Sequence, residues 1–437
     1  MKLAWFSPLP PAHSDIANFT RRLEGPLTAA HEVRFFEETA DGFREPAAGG
    51  EYVAPLGEVA PALWPPLNRC DVPVYNVGNH PGFFARTWFL NGRKPGVVVL
   101  HDLKLHHFFE GIYRERLGDQ ATYLRLMRWH YGSLGYEAGL AYWQQEVSID
   151  FMAEHFPMTA WAIDNALGVV VHTAHALQVV QSLTDVPAVL APLPYPARTV
   201  PASLAGRPRS LSDPREKARI VIFGYLNVNR RVVEFLTALA AMPERARFDV
   251  QIYGDLLHRK EVEGAVATLG LGAQVTLHGY VAEDALEAGL AGADLAVNLR
   301  FPSMGEASGS QLRLWDHALP SLVTRTESYA DLPEDAVFFV RPAHEEADIQ
   351  RHLRDLLARP ETFREAGQNG RRHLENHQPK RYVDRLDGLL EHVPALRSRH
   401  SQQRLAVRVG AALSPWWDAA PKTARETHYA ATIARVV

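Results

Sequence analysis

The sequence predicts an α/β protein made of two doubly wound, Rossmann-like halves, and three observations lead there. Short apolar runs alternate with helix-period stretches from Lys2 to about residue 191, the pattern of a parallel sheet with crossover helices. The composition then shifts: residues 192–217, PLPYPARTVPASLAGRPRSLSDPREK, are rich in Pro, Ser and Arg without a period, and the alternation restarts after them. Finally, a chain of 437 residues exceeds what one core ordinarily organises, so two domains of about 200 residues each are expected. The expected units are a first domain over 1–195, a linker over 196–217, a second domain over 218–392 and a helical tail over 393–437 that packs back on the first domain.

The first strand is residues 2–6, followed by SPLPPAHSD, a Pro-rich loop that no helix occupies. A helix over 16–30 comes next, with Gly25-Pro26 as an interruption. Ligands of doubly wound sheets collect at the carboxyl ends of strands, which places His13, Ser14 and Asp15 facing a cleft. Capping of the following helix by Ser14 or Asp15 accounts for those residues equally well. Further strands are expected at 32–36, 72–77, 97–100, 168–171 and 187–191. The strand 97–100 ends in His101-Asp102, an imidazole and a carboxylate at a strand's carboxyl end. In HDLKLHHFF, His101, Asp102, His106 and His107 suggest a metal site, but adjacent His106 and His107 point to different faces of a helix, and no metal is expected. Residues 103–165 are helical and aromatic, which at helical spacing indicates core. Arg125 and Arg128 there read as a solvated face, with an anionic acceptor or a membrane surface as the weaker alternative.

The second half has expected strands at 219–223, 248–253, 274–277, 294–299, 321–324 and 336–340, with helices at 230–241, 259–269 and 283–291. Helices at 345–358, 360–377 and 379–392 follow. No GxGxxG follows either opening strand, which speaks against a dinucleotide-dependent dehydrogenase. The opening strand runs into FGYLNVNRR. There Gly224 permits a tight turn, Asn227 lies in the loop, and Arg230 and Arg231 open the helix. Cations at a helix N-terminus oppose its dipole, so a bound anion would explain them, as would simple solvation. The central stretch is NLRFPSMGEASGSQLRLWDHALPSLV: a strand, a small-residue loop from Ser303 to Ser310, and a helix. Free amides and the positive dipole end at such a helix start suit a phosphate or diphosphate. Gly309 lets a ligand approach the backbone, Ser308 and Ser310 add hydrogen bonds or cap the helix, and Arg300 adds charge. Glu306 reads on its own as a solvated loop carboxylate.

Hydrophobic residues make up 46% and charged residues 22%, as in ordinary globular proteins, and the net charge of −4 argues against a dedicated nucleic-acid binder. Cys70 is the only cysteine, so neither an intrachain disulfide nor a cysteine zinc cluster can form. The start, MKLAWFSPLPPAHSD, breaks into Pro and polar residues too soon for a signal peptide, and no apolar run reaches the ~18 residues of a spanning helix. The expectation is a soluble, cytoplasmic protein, with peripheral contact at a membrane as the weaker reading.

Taken together, SPLPPAHSDIANF, GVVVLHDLKLHHFF, ALGVVVHTAHAL, FGYLNVNRRV and above all NLRFPSMGEASGSQLRLWDHALPSLV resemble the retaining glycosyltransferases of family four, over most of residues 1–392. The resemblance implies a GT-B fold, with the carboxyl half holding a nucleotide-sugar donor, the amino half a carbohydrate or glycoconjugate acceptor, and the active site between them. It implies that Arg230 stands where the family has a diphosphate-binding lysine. Glu306 then belongs near the donor sugar, Ser308, Gly309 and Ser310 form the phosphate-facing loop, and His101 is the histidine near the transferring sugar. Gly224, Asn227, Arg231 and Arg300 join the donor side; His13, Ser14, Asp15 and Asp102 join the acceptor side. No cofactor and no metal are implied. Three departures stand out: Arg313 or Leu314 replaces the family's ribose-binding glutamate, Tyr225 replaces an arginine, and Ser14-Asp15-Ile16 replaces a glycine-rich loop.

Overall fold

The computed structural model describes residues 1–12, 14–198, 211, 213 and 215–419. His13 and most of the expected linker lie outside the described residues, as do the last 18 positions of the tail and the side chains of Trp416 and Trp417.

Each half is a sheet with helices on both faces. The first contains β1 (Lys2–Phe6), β2 (Glu32–Glu38), β3 (Gly42–Glu45), β4 (Gly50–Val53), β5 (Val72–Val77), β6 (Val97–Leu100), β7 (Gly168–Val171) and β8 (Ala188–Leu190), in the order β4-β3-β2-β1-β5-β6-β7-β8. The second contains β9 (Ala218–Phe223), β10 (Phe248–Tyr253), β11 (Val275–Gly279), β12 (Leu295–Asn298), β13 (Ser321–Thr324) and β14 (Phe338–Val340), all parallel, in the order β11-β10-β9-β12-β13-β14. Each order reverses once, between β1 and β5 and between β9 and β12. Those are the points where loops leave in opposite directions and open a crevice at the carboxyl ends of the strands. β1, β5, β6, β7, β12 and β13 are buried almost throughout, which is why their sequences are unbroken apolar runs rather than alternating ones.

Three elements depart from the expectation. The antiparallel pair β3–β4 was not expected, because these edge strands are four residues long, Gly-containing and charged, with no apolar run. They are anchored instead by Phe43 edge-on against Phe6, 5.2 Å between ring centres, and by the Arg34–Glu45 ion pair at 2.6 Å. Gly25-Pro26 does not interrupt the first helix, which runs Asp15–Ala30. The helix expected from residue 230 begins later, as Val232–Ala240, after a 3₁₀ turn Val228–Arg230 and a left-handed Arg231 at φ 56°.

The chain crosses between the halves twice, and the crossings run side by side: the Tyr195 N–H donates to the His377 carbonyl at 2.7 Å, and His377 Nδ1 lies 2.8 Å from the Leu193 carbonyl. The second crossing moves the expected boundary at 392. The helix Pro379–Leu390, expected in the second half, buries Tyr382, Val383, Leu386 and Leu390 in the first half's core with Leu3, Trp5, Phe19 and Leu23. His31 Nε2, 2.7 Å from Asp387 Oδ1, ties the same helix down. The following helix Val393–Ala419 starts on the same surface, where Arg397 Nη2 donates to the Asp71 carbonyl at 2.6 Å. Periodicity could show that residues 379–390 form an amphipathic helix, but not which sheet would cover it.

Leu386 is fully buried in that core. Leu386→Ala is expected to lower stability by about 2–5 kcal/mol, read as a shift of the urea unfolding midpoint with the far-UV spectrum of the native state unchanged.

Candidate active site in the interdomain cleft

At the second sheet's switch point, β9 ends at Phe223 and the chain turns through Gly224, whose φ of 117° a side chain would strain. The 3₁₀ turn then delivers Arg230 back beneath the strand end. Its side chain is 3% exposed, its Nη2 donates to the Phe223 carbonyl at 3.2 Å, and its Nε has no hydrogen-bond partner. From the neighbouring strand β12 comes Arg300, whose backbone N–H donates to Thr324 Oγ1 at 2.9 Å and whose Nε lies 3.1 Å from Glu306 Oε1. Burial, and then the repulsion of Arg300, bring Arg230 down to about 10. Burial also opposes charge on Arg300, but Tyr329 and Glu306 outweigh it and hold this guanidinium above its ordinary value.

Glu306 is fully occupied. Besides Arg300, Oε1 faces the Tyr329 hydroxyl at 3.4 Å, while Oε2 accepts from the Met304 N–H at 2.8 Å and the Ser303 hydroxyl at 3.3 Å. Burial would raise its carboxyl, yet Arg300 and these donors keep it below the usual range. Two buried guanidinium groups thus face one buried, committed carboxylate. The exposed Asp15 on the opposite wall acts on both arginines electrostatically without closing on either.

Beside them the helix Gly309–Asp316 opens. Ser308 is its N-cap: Oγ accepts from the Gln311 N–H at 3.1 Å and from Asn298 Nδ2 at 3.3 Å. The first-turn N–H groups at Gly309 and Ser310 have no helical acceptor. A Cβ placed on Gly309 would meet nothing within 4 Å, and one on Gly224 would find only Ser310 Oγ at 4.0 Å. An open mouth therefore lies between Gly224 and the helix start, with Arg230 and Arg300 beneath it.

The first half supplies the other wall. Leu103 and Lys104 both donate backbone N–H groups to the Met304 carbonyl at 2.9 Å, Thr173 Oγ1 donates to Ser328 Oγ at 3.1 Å, and His175 N–H reaches Asp331 Oδ2 at 2.7 Å. Gly305, at φ 76°, sits so near Leu103 that a Cβ would come within 2.6 Å of it. The halves are thus closed around Glu306. Asp102 accepts from the Asn79 N–H at 2.8 Å, and burial, followed by the nearby Glu306 charge, raises its carboxyl to about 7. His101 is buried at the cleft floor with both ring nitrogens engaged, Nε2 with Asn76 Oδ1 at 2.9 Å and Nδ1 with His172 Nε2 at 3.2 Å. A crevice of about 260 Å³ continues inward between the halves, bordered by His172, Glu306, Ser308, Leu312, Trp315 and Tyr329.

Most of the residues expected here do converge: Asp15, His101, Asp102, Gly224, Arg230, Arg300, Glu306, Ser308, Gly309 and Ser310. Ser14 is a cap, its Oγ accepting from the Ile16 N–H at 3.2 Å. Two donor-side residues do not converge. Asn227 is exposed, caps the 3₁₀ turn through the Val228 N–H at 2.8 Å, and lines a separate small hollow with Leu256 and His258. Arg231 is turned away by its left-handed backbone and ion-pairs with Glu345 and Glu234, both at 2.7 Å. Where the ribose-binding glutamate was missing, Leu314 is buried and Arg313 pairs with Glu283 at 2.6 Å and with Glu287. The histidines of HDLKLHHFF are engaged in packing: His106 with the Phe156 carbonyl at 2.6 Å and Tyr123 at 2.7 Å, His107 with Asp150 at 3.5 Å. Sequence reasoning missed Tyr329, Ser303, Asn298, Gln311 and His172. Tyr329 follows β13 and His172 follows β7, so the strand-end rule alone would have nominated both.

The architecture has known counterparts. HepE from Anabaena, solved with UDP and glucose, superposes with a TM-score of 0.59 at 13% identity, covering 89% of this chain and 99% of HepE. The sucrose-phosphate synthase of Thermosynechococcus elongatus gives 0.60 at 16%, covering 90% and 99%. WaaG, a glycosyltransferase involved in lipopolysaccharide biosynthesis, gives 0.53 at 16%, covering 89% and 98%. The fold is GT-B. No family model and no curated protein sequence matches the chain.

Because the Asp102 carboxyl is raised, the folded chain binds a proton there that the unfolded chain has lost, and stability falls as pH rises from about 4 to 7 through this group. Asp102→Asn keeps the acceptor for Asn79 and removes the titration. Chemical denaturation across that range is expected to show a shallower loss of stability with pH in the variant than in the parent.

Proposed function

We propose that this chain is a retaining glycosyltransferase, similar to those of family four, that moves a sugar from a nucleotide-diphosphate sugar to an acceptor hydroxyl. The observation that carries this is the pair of buried guanidinium groups, Arg230 and Arg300, near a helix mouth at the switch point of a GT-B cleft. In this reading the diphosphate takes the helix mouth, where the free first-turn N–H groups and the two nearby guanidinium groups favour an anion. The UDP bound in the HepE complex supports the reading, as does the naming of WaaG as a glycosyltransferase.

In the proposed reaction the bond from the sugar's anomeric carbon to the diphosphate oxygen breaks, and a bond to the acceptor oxygen forms on the same face. The acceptor's proton passes to the departing diphosphate, so no protein base is required. Negative charge grows on the leaving group, and Arg230, Arg300 and the Gly309–Ser310 amides stabilise it more in the transition state than in the ground state. In this reading Glu306, held by Arg300, Ser303 and Met304, lies near the donor sugar. The closed halves exclude water and so protect the donor from hydrolysis. The acceptor is a carbohydrate or glycoconjugate entering along Asp15 and Asp102, in glycan or polysaccharide biosynthesis. No helix among the described residues is long and apolar enough to cross a membrane; a cytoplasmic enzyme that needs no metal is the corresponding proposal.

The test is a thermal-shift panel of UDP, GDP, ADP and dTDP sugars, followed by transfer assays with the donor that binds. A donor present at about 100 times its dissociation constant should stabilise the chain by about 2.7 kcal/mol. Arg230→Ala is expected to lower the transfer rate by about 10²–10³, and Glu306→Ala should also reduce it. Unchanged transfer in both variants would remove this site assignment. Rapid turnover of donor without any acceptor would instead indicate an epimerase or hydrolase, and binding without any turnover a nucleotide-sugar-binding subunit.

A further inference from the structure

His101 and His172 follow β6 and β7 and meet at the floor of the cleft, where they form a buried chain of hydrogen-bonding groups with fixed ends. Asn76 Nδ2 donates to the Phe6 carbonyl at 2.9 Å, so Asn76 Oδ1, 2.9 Å from His101 Nε2, can only accept. At the other end the Ala191 carbonyl, 2.9 Å from His172 Nδ1, also only accepts. A neutral imidazole has one N–H. Placing it outward on each ring satisfies both ends, but it leaves His101 Nδ1 and His172 Nε2 facing each other lone pair to lone pair at 3.2 Å. Other tautomers, or a rotated Asn76 amide, only move the mismatch to another link. The neutral chain is one proton short, and a single proton between the two inner nitrogens completes every bond.

We propose that His101 and His172 act as one proton-accepting unit that takes up a shared proton when an anion occupies the cleft. The proposal rests on the reading of the cleft as a diphosphate site and names its titrating partner. Burial works against the charge, lowering His101 and bringing His172 to about 4, so the empty cleft holds the pair neutral at physiological pH. Among the described residues no carboxylate hydrogen-bonds to either ring, and Asp331, which also lines the crevice, accepts from the His175 N–H at 2.7 Å. Phe19 packs on both rings at 4.8 and 5.4 Å, and the neutral Tyr382 lies 6.0 Å from His172. Asp102 is turned to Asn79, and Glu306, which borders the same crevice as His172, is neutralised by Arg300. Ser308 caps the helix mouth and also borders that crevice, so a diphosphate bound at the mouth places negative charge at the crevice's edge. Its affinity then falls as pH rises through the pair's midpoint in the bound state, because each anion bound requires one proton.

Calorimetry with inorganic diphosphate, in buffers of different ionisation enthalpy, counts protons taken up on binding. The parent for this comparison carries Asp102→Asn, which removes the other cleft group that titrates near neutrality. The second chain adds His172→Gln, whose amide N–H gives His101 Nδ1 its missing hydrogen without a charge. The ligand's own protons are common to both chains and cancel. The expected difference is about half a proton at the bound-state midpoint and approaches about one proton at pH values between that midpoint and the pair's value in the empty cleft. Equal uptake in the two chains overturns the proposal and leaves the donor-site reading standing; no binding of diphosphate overturns both. Should the double variant not fold, histidine ¹⁵N spectra of the Asp102→Asn chain decide instead. Joint shifts of both rings on adding diphosphate support the shared proton, and unmoved or independently titrating rings refute it.

Discussion

One carboxylate between two buried guanidinium groups is the constraint on which the rest of this structure depends. Glu306 ion-pairs with Arg300 at 3.1 Å and is itself held by Ser303, Met304 and Tyr329, while the Nε atoms of both Arg230 and Arg300 lack a hydrogen-bond partner. Buried charge of one sign is costly unless something pairs with it. In the proposed reading an anion supplies that pairing, at the helix mouth of Gly309 and Ser310. In that reading, the repulsion by Arg300 that lowers Arg230 is relieved by the proposed anion.

Closure follows from the same loop. The Met304 carbonyl takes both N–H groups of Leu103 and Lys104, and the lack of a Cβ at Gly305 lets Leu103 approach. The segment that holds Glu306 is therefore also the segment that joins the two halves. Orientation of the carboxylate and exclusion of water are one event, and a shift in domain closure would be felt first at Glu306.

The cleft wall built by the first half is more heavily hydrogen-bonded than a simple acceptor platform needs to be. His101, which the family resemblance places at the transferring sugar, has no free nitrogen. In the proposal its contribution is to the electrostatics and proton content of the floor, while Asp102 is held by the Asn79 N–H and Asp15 is exposed on the wall. Arg313, occupying the place of an expected acid, binds Glu283 and Glu287, so acidic groups reach that region from a different helix.

Much of this protein was legible in its residues. Unbroken apolar runs marked the buried parallel strands, and NLRFPSMGEASGSQL marked the helix mouth, because local spacing alone dictates where a cap and its free amides fall. What spacing could not supply was direction. Arg230 and Arg231 are neighbours in the chain, yet a left-handed backbone at Arg231 sends one under the strand and the other to Glu345. The helix 379–390 carries an apolar face, but only the two chain crossings running side by side decide that the first sheet covers it. The pairing of His101 with His172 joins residues 71 positions apart in the sequence, and contacts of that kind arise from strand order, which no local pattern records.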